Sequence, residues 1–266
     1  MDLMAIPLAV AKHVVITGAS SGLGAALARA YAGPDVLLTL SGRHVERLSG
    51  VAADCRAAGA EVTTTICDVT DSEGMATWLL RADQNRIVDV VFANAGIGGK
   101  TAIAPPTGES NSVAKSILLT NTLGVINTAT PIIPRFVARR AGHFVVVSSL
   151  AGLLGLPHSP AYCASKAAVR IYAQGLRRLM RPCGVRVTII NPGFVDTPMQ
   201  RSLLGVGILV WSPERAADAI KRAIAKGKAE FTFPWPLRLV VGAAQLLPAR
   251  VVDAALVRLS TLPQRL

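Results

Sequence analysis

A tyrosine stands four positions ahead of a lysine in the segment YCASK, residues 162–166. At this spacing on a helix, Tyr162 and Lys166 lie on one face and can interact. A tyrosine ordinarily keeps its proton up to a pKa of about 10, but a neighbouring ammonium group favours the phenolate and lowers that pKa. The pair could therefore exchange a proton with a substrate. Because this spacing also arises by chance, the motif alone favours the simpler interpretation of two ordinary residues on a helix face.

A glycine-rich segment, TGASSGLG at residues 17–24, follows the apolar run HVVIT. Gly18, Gly22 and Gly24 allow a tight turn and a close approach of the backbone to a pyrophosphate. A helix that starts here offers free N–H groups and the positive end of its dipole to that group. The spacing is G-x-x-x-G-x-G rather than G-x-G-x-x-G, and between a strand and a helix it predicts a nucleotide site.

The residues after the second apolar run bear on which nucleotide binds. An NAD site usually carries an acid at this place to bind the adenosine ribose. This chain has Gly42 and then Arg43. Because an arginine can pair with a 2′-phosphate that an acid would repel, the sequence favours NADP(H) over NAD(H). The alternative is that Arg43 is a surface residue beside an NAD ribose.

Two further segments follow apolar runs and could contact a cofactor. Asp68 could accept a hydrogen bond from the adenine amino group, with Val69 against the ring, or it could cap the helix that begins near Ser72. Both interpretations stay open, and the two can coexist. The segment NAG, residues 94–96, is small enough to let a cofactor pass close to the backbone, although a tight turn would explain Gly96 equally well.

Short β-branched runs alternate with longer helical patterns along the chain. The expected strands are 13–17, 36–40, 61–66, 88–93, 143–148, 185–190 and 230–233. The expected helices are about 22–32, 44–58, 72–82, 111–139, 159–181 and 213–226. Continuous apolar strands suit a parallel sheet covered on both faces. We therefore predict a single α/β domain over residues 1–266, a Rossmann-type doubly wound parallel sheet of about seven strands, whose ligand lies at the carboxyl ends of the strands.

Composition limits the classes of function. The chain has 266 residues and a net charge of +12, of which residues 201–266 contribute +6. Such a balance fits nucleic acid, an anionic membrane or a phosphorylated ligand, or a plain soluble surface. No run of five like charges exists and aromatic residues make up 5%, which argues against nucleic acid. Four scattered cysteines predict neither a metal site nor disulfides, so we expect a reducing cytoplasm.

Taken together, the motifs resemble the short-chain dehydrogenase/reductase family in its single-domain, non-extended branch. The matching pieces come in the family's order over about residues 13–200, and together they are specific where any one alone is not. They are TGASSGLG, DV at 68–69, NAG, Asn121 in TNTLG, SSLAG at 148–152, YCASK and NPGFVDT at 191–197.

The resemblance implies an NAD(P)-dependent oxidoreductase acting on a carbonyl or secondary alcohol. Tyr162 would be the general acid and base, and Lys166 would lower its pKa and bind the nicotinamide ribose. Ser149, thirteen residues before Tyr162, would orient the carbonyl oxygen, while Ser148 would support the strand end. Asn121 would hold a water that connects Lys166 to solvent, or it would fill a gap in helical hydrogen bonding.

The resemblance also implies a set of cofactor-binding residues, which includes Tyr162 and Lys166. Its other members are Gly18, Ser20, Ser21, Gly22, Leu23, Gly24, Arg43, Asp68, Val69, Asn94, Ala95, Gly96, Pro192, Gly193, Val195 and Thr197. No Ser-His-Asp or metal constellation competes with this site. We interpret His143 and His158 as structural or solvated.

The segments that would choose the substrate are apolar. A flap at about 198–212 and LLGLP at 153–157 predict a hydrophobic substrate, although both could simply pack on the core or a second subunit. The sequence predicts two short helices in the tail, about 233–266. We expect them to form a subunit interface or a pocket wall, and peripheral contact with anionic lipid is the less favoured alternative. We expect a homodimer or homotetramer, and the alternative function is a non-catalytic NADP sensor or scaffold on the same fold.

Overall fold

The computed structural model describes residues 11–98, 108–157, 159–201 and 209–261. Its seven strands form one parallel sheet in the order β3-β2-β1-β4-β5-β6-β7. The strands are β1 (His13–Ile16), β2 (Leu37–Gly42), β3 (Glu61–Ile66), β4 (Val90–Ala93), β5 (His143–Val147), β6 (Arg186–Pro192) and β7 (Glu230–Phe233). The predicted doubly wound parallel sheet is confirmed, and each strand lies within about two residues of its expected bounds.

Helices cover both faces of the sheet. They are α1 (Gly22–Tyr31), α2 (Val45–Ala57), α3 (Ser72–Asn85), α4 (Asn111–Leu118), α5 (Gly124–Ala138), α6 (Pro160–Met180), α7 (Pro198–Arg201), α8 (Pro213–Ala225), α9 (Trp235–Ala244) and α10 (Ala249–Thr261). The core on one face is built with α1, α2 and α8, and the core on the other with α3, α5 and α6. Strands buried on both faces explain the continuous apolar runs in the sequence.

The order of the strands fixes where a ligand can bind. The chain winds outward from β1 through β2 to β3, and then returns to the other side of β1 to form β4. The crossovers therefore diverge between β1 and β4, which leaves a crevice beyond the carboxyl ends of these two strands. The glycine-rich turn follows β1 and the NAG segment follows β4, so both lie at this crevice.

The prediction of one helix over 111–139 is wrong in one respect. The helix is not a single α-helix, because a π-helical turn at Leu119–Leu123 separates α4 from α5. A π turn inserts one residue into the helical ladder and is often found at functional sites. Here it contains Asn121, one of the predicted catalytic residues. The whole span Asn111–Ala138 is apolar and long enough to cross a membrane, as a core helix can be, and it packs against α3 and α6.

Candidate active site

The turn between β1 and α1 forms a concave surface, hereafter the glycine cradle, that has no room for side chains at Gly18 and Gly24. Gly18 has a left-handed backbone with φ of 67°, and a Cβ there would lie 2.7 Å from Cα of Ala95. A Cβ on Gly24 would overlap the carbonyl oxygen of Gly18. Ser21 is the N-cap of α1 and its side chain makes no capping hydrogen bond. The N–H groups of the first helical turn thus remain available to a phosphate group, which fits the predicted pyrophosphate site.

Asn94 holds the glycine cradle in place through hydrogen bonds. Its side-chain amide donates to the carbonyl oxygens of Thr17 at 2.9 Å and Gly18 at 3.3 Å. The Thr17 hydroxyl donates to the carbonyl of Phe92 and accepts from the backbone N–H of Asn94, which joins the ends of β1 and β4. Asn94, Ala95 and Gly96 all line the cleft as expected, and Asn94 has the additional role of positioning the turn.

The end of the cleft next to β2 is basic. Arg43 lines it together with His44 and Arg47, two residues that the sequence analysis did not single out. Arg47 lies in the first turn of α2, four positions after Arg43 in the sequence, and a search for further basic residues just after Arg43 would have identified it. Arg43 Nη1 lies 3.6 Å from Oδ2 of Asp68, so the arginine already has an anionic partner at this end of the cleft.

Asp68 does not cap α3, and this alternative in the sequence analysis is wrong. Asp71 is the N-cap, with its carboxylate accepting from the N–H of Gly74 at 3.0 Å. Asp68 instead accepts from the N–H and the hydroxyl of Thr70, both at 2.9 Å. Partial burial opposes ionisation, but these bonds and Arg43 hold the pKa of Asp68 below its usual value. An ionised Asp68 lines the cleft beside Val69, where it can accept a hydrogen bond.

Lys166 is buried and aimed at the end of β5. Its Nζ donates to the carbonyl oxygen of Val147 at 3.0 Å and lies 5.8 Å from the centroid of the Tyr162 ring. Burial lowers the pKa of Lys166 from 10.5 to about 8. The Ser148 hydroxyl donates to the backbone carbonyl of Lys166 at 2.8 Å, so Ser148 ties the strand end to α6, the supporting role expected of it.

Tyr162 lines the cleft beside Ser149. A hydrogen bond with Ser149 lowers the pKa of Tyr162, but burial raises it more, and the net direction is upward. The structure thus differs from the prediction that Lys166 lowers this pKa. The Ser149 hydroxyl also accepts from the N–H of Ala151 at 3.1 Å. The same hydroxyl donates to the carbonyl of Pro192 at 3.4 Å, so two backbone groups of neighbouring segments hold Ser149 beside Tyr162.

Asn121 bridges the π turn to two neighbouring segments. Its Oδ1 accepts from the N–H of Ile97 at 2.8 Å, and its Nδ2 donates to the carbonyl of Ile97 at 2.9 Å and to the hydroxyl of Ser165 at 3.0 Å. Ser165 precedes Lys166 on α6, and a Cβ on Gly96 would lie within 3.4 Å of both Asn121 Oδ1 and Lys166 Nζ. The amide therefore lies close to the lysine, but its described side-chain bonds go to Ile97 and Ser165 and not to the backbone of its own helix, and the water-holding role stays a prediction.

The end of β6 and the segment after it line the cleft with all four residues expected of them, Pro192, Gly193, Val195 and Thr197. Gly193 N–H donates to the carbonyl of Phe233 at 2.7 Å. Val195 pairs with Trp211 in an isolated β-bridge, which fixes both ends of the predicted flap. Residues 202–208 of the flap lie outside the described residues, as does His158.

The tail forms two helices, α9 and α10, at the surface. Gln245 Nε2 donates to the carbonyl of Leu153 at 2.6 Å, and Leu256 and Val257 of α10 share a cavity with the segment 153–157. That cavity shares no lining residue with the cofactor cleft among the residues that the structure describes. The tail therefore contacts the apolar LLGLP segment, and its use as a subunit interface or a pocket wall stays a prediction.

Comparison with known proteins agrees with this architecture. The family model described as "short chain dehydrogenase" matches residues 12–204. An uncharacterized oxidoreductase of Myxococcus xanthus is 36% identical, over 93% of this chain and 97% of its own length. Two solved structures of short-chain dehydrogenases are also similar. One, from Sphingobium yanoikuyae with NADPH, has a TM-score of 0.76 at 26% identity and covers 88% of this chain and 93% of that one.

The other solved structure shows that the cofactor differs among such relatives. It is a short chain dehydrogenase/reductase from Burkholderia phymatum in complex with NAD, with a TM-score of 0.76 at 25% identity, covering 87% of this chain and 92% of that one. Neighbours of this fold thus bind either nicotinamide cofactor. Since the family model spans most of the chain and the relatives are oxidoreductases, this chain belongs to the short-chain dehydrogenase/reductase family and is an NAD(P)-dependent oxidoreductase.

Proposed function

We propose that this enzyme is an NADP(H)-dependent oxidoreductase that transfers hydride between the nicotinamide and a carbonyl or secondary alcohol on an apolar substrate. One observation carries the proposal: Ser149, Tyr162 and Lys166 line the same cleft as the glycine cradle, and Asn121 lies next to them through its bond to Ser165. The cradle fits a pyrophosphate, and the four polar residues lie where the nicotinamide end of a bound dinucleotide would be. The cofactor supplies the hydride, and the protein supplies position, charge and a proton.

Tyr162 is the proposed proton donor for carbonyl reduction. Its raised pKa keeps the phenol protonated at neutral pH, which is the form that donates to a developing alkoxide. Ser149, hydrogen-bonded to Tyr162, would donate to the same oxygen and hold the carbonyl in place. In the reverse direction the phenolate would take the proton of the alcohol, and a cation close by would favour that form.

Lys166 and Asn121 would return the proton to Tyr162. With a pKa of about 8, Lys166 can release and take up a proton near physiological pH. Gly96 leaves space beside both Lys166 Nζ and Asn121 Oδ1. A water held there by the asparagine would connect the lysine to solvent, which is the relay we propose.

Three basic side chains support the preference for NADP(H). Arg43, His44 and Arg47 line the adenosine end, where the residue that ends β2 is Gly42 rather than an acid. A 2′-phosphate could replace Asp68 as the partner of Arg43, and charge-assisted bonds to phosphate are among the strongest available. The ratio of kcat/KM for NADPH over NADH tests this preference, and a ratio below one would reject it.

The apolar substrate is proposed from the apolar composition of the segment 153–157, which lies between Ser149 and Tyr162 in the sequence, and of the flap that follows the cofactor loop. A panel of carbonyl compounds, with NADPH oxidation followed by absorbance, tests the function as a whole. We expect turnover of bulky apolar ketones or aldehydes and little turnover of short polar sugars. Preference for the sugars would refute the apolar substrate, and no turnover of any carbonyl or alcohol with either cofactor would refute the proposed reaction.

We also propose that the enzyme forms a homodimer or homotetramer. Leu118, Leu119 and Leu123 are exposed around the π turn, and Ile171 and Leu179 are exposed on α6, which packs against α4. Exposed apolar residues clustered on neighbouring helices favour a subunit interface. Light scattering after size-exclusion chromatography should give two or four times the mass of the chain, and a monomer at about 50 µM would contradict this.

A further inference from the structure

A second cavity lies at the opposite edge of the sheet from the cofactor cleft. It has a volume of about 860 Å³ and opens beside the amino ends of β5, β6 and β7. Seven of its lining residues are basic: Arg139, Arg140, Arg177, Arg178, Arg181, Arg186 and Lys228. We propose that this cavity, hereafter the basic cavity, binds a small polyanion with adjacent phosphate groups, separately from the nicotinamide cofactor.

The cations of the basic cavity come from several elements that only the fold brings together. Arg139 and Arg140 follow α5, Arg177 and Arg178 form the last turn of α6, and Arg186 begins β6. Arg181 and Lys228 lie in the connections that lead into β6 and β7. This convergence is not a charged run of sequence, so a search for clustered charge along the chain does not reveal it.

The negative charge near the basic cavity is much smaller than the positive charge. Arg139 pairs with Asp83 at 2.8 Å, so it already has an anionic partner, which it shares with Arg135. Among the described lining residues Asp89 is the one acid, and it accepts the N–H groups of Lys12 and His13 at 2.8 and 2.9 Å. The carboxyl ends of α5, α6 and α8 each add about half a negative charge. Arg139 and Arg186 have partners within the protein, and the other five cations exceed these negative charges by about two to three, which favours a ligand with at least two phosphate groups.

The wall of the basic cavity includes a buried polar group that lacks a partner. His143 is 1% exposed, and its Nε2 is 2.8 Å from Oγ1 of Thr188. The Thr188 hydroxyl donates to the carbonyl of Lys228, so it accepts from Nε2–H of the histidine. Nδ1 is then an acceptor with no hydrogen-bond partner among the described residues, and because it cannot donate to a phosphate oxygen, the cations have to supply the contacts with the anion. Burial, together with Arg186, lowers the pKa of His143 to about 3 and keeps the ring neutral.

The shape and lining favour a small ligand over a macromolecule. The cavity is concave and its volume lies in the range of small-molecule sites. Its described lining residues include no Phe, Tyr or Trp, whereas single-stranded nucleic acid is usually held by aromatic stacking and a membrane surface by bulky apolar anchors. The remaining lining is mostly glycine, alanine and valine, which leaves the cations to supply the affinity.

Calorimetric titration tests the proposal with pyrophosphate and tripolyphosphate as probes. The whole chain is saturated with NADPH first, so that the glycine cradle and Arg43 are already occupied. We expect one site per chain, with affinity rising from orthophosphate to pyrophosphate to tripolyphosphate and falling as salt is added. In the triple variant Arg178→Gln, Arg181→Gln, Lys228→Gln, affinity should fall by at least about tenfold, because each lost cation removes a charge-assisted contact.

A matched control removes the same charge elsewhere. The control is the triple variant Arg81→Gln, Lys115→Gln, Arg222→Gln. These three residues lie on α3, α4 and α8 respectively. All three are exposed, and none of them lines the basic cavity. This control should bind tripolyphosphate within about twofold of the wild type, and both triple variants should keep the wild-type affinity for NADPH. Equal losses in the two variants would overturn the proposal, because they would show a non-specific effect of net charge.

Two other results would also overturn it. One is the absence of tripolyphosphate binding by the NADPH-saturated wild type at about 150 mM salt. The other is binding only to vesicles with anionic lipid or to single-stranded oligonucleotides, with the same dependence on Arg178, Arg181 and Lys228. Neither result depends on the proposed substrate, so the failure of this site and the failure of the proposed function can be told apart.

Discussion

Replacing Lys166 by methionine should remove a specific dependence of stability on pH. The pKa of Lys166 falls from 10.5 in the unfolded chain to about 8 in the folded protein, because the ammonium group is buried. Between these two values the unfolded chain binds more protons than the folded one, so this lysine makes the protein more stable as pH rises. Because the pKa of Lys166 is lowered by this much, raising the pH from about 7.5 to about 9.5 should increase the free energy of unfolding by about 2 kcal/mol.

The measurement is urea denaturation of the wild type and Lys166→Met at both pH values. We expect the difference in their free energies of unfolding to shift by about 2 kcal/mol in favour of the wild type at the higher pH. Burial raises the pKa of the thiols of Cys55, Cys67 and Cys163, which gives an opposite slope, but both proteins carry these thiols and their effect cancels. Lys115→Met, at an exposed position, is the control and should show no such shift. A pH-independent difference for Lys166→Met would refute the reasoning that burial controls this lysine.

Three further substitutions test the rest of the account. Gly24→Ala puts a methyl group against the Gly18 carbonyl and should weaken NADPH binding at least about a hundredfold in fluorescence titration; unchanged binding would contradict the cradle. Arg43→Glu should lower kcat/KM for NADPH at least about tenfold and leave that for NADH nearly unchanged, whereas equal losses would contradict a 2′-phosphate contact. Asp83→Asn leaves Arg139 without its buried anion and should lower the free energy of unfolding by about 3 kcal/mol in urea; a loss below about 1 kcal/mol would contradict that role.

The sequence was enough to predict the sheet and the place of the site. Runs such as HFVVV at 143–147 are apolar throughout because both faces of the parallel sheet are covered. Residues that follow such runs had to meet at the carboxyl edge, which is why Gly18, Asn94 and Ser149 could be grouped before their contacts were known. The cleft brings all the predicted cofactor residues together, while Asn121 reaches it through its contacts with Ile97 and Ser165.

Other features depend on contacts that spacing along the chain does not specify. The π turn around Asn121 uses residues that an α-helix accepts equally well, so only the backbone reveals it. The direction of the Tyr162 pKa depends on how deeply the phenol is packed and on where Lys166 Nζ points, and that atom donates to Val147. The basic cavity could not be predicted from the sequence either, because its arginines come from segments that are far apart along the chain.

The transfer of a proton by Tyr162 is the central claim, and Tyr162→Phe tests it most directly. This change removes the phenol oxygen and leaves the ring, Lys166 and the glycine cradle in place. Single-turnover oxidation of NADPH with the best carbonyl of the panel should slow by at least about a hundredfold, since general acid catalysis supplies about 10²–10⁴-fold. NADPH affinity, measured by fluorescence, should stay within about threefold of the wild type. A Tyr162→Phe enzyme that bound NADPH normally and kept the wild-type single-turnover rate would contradict the account.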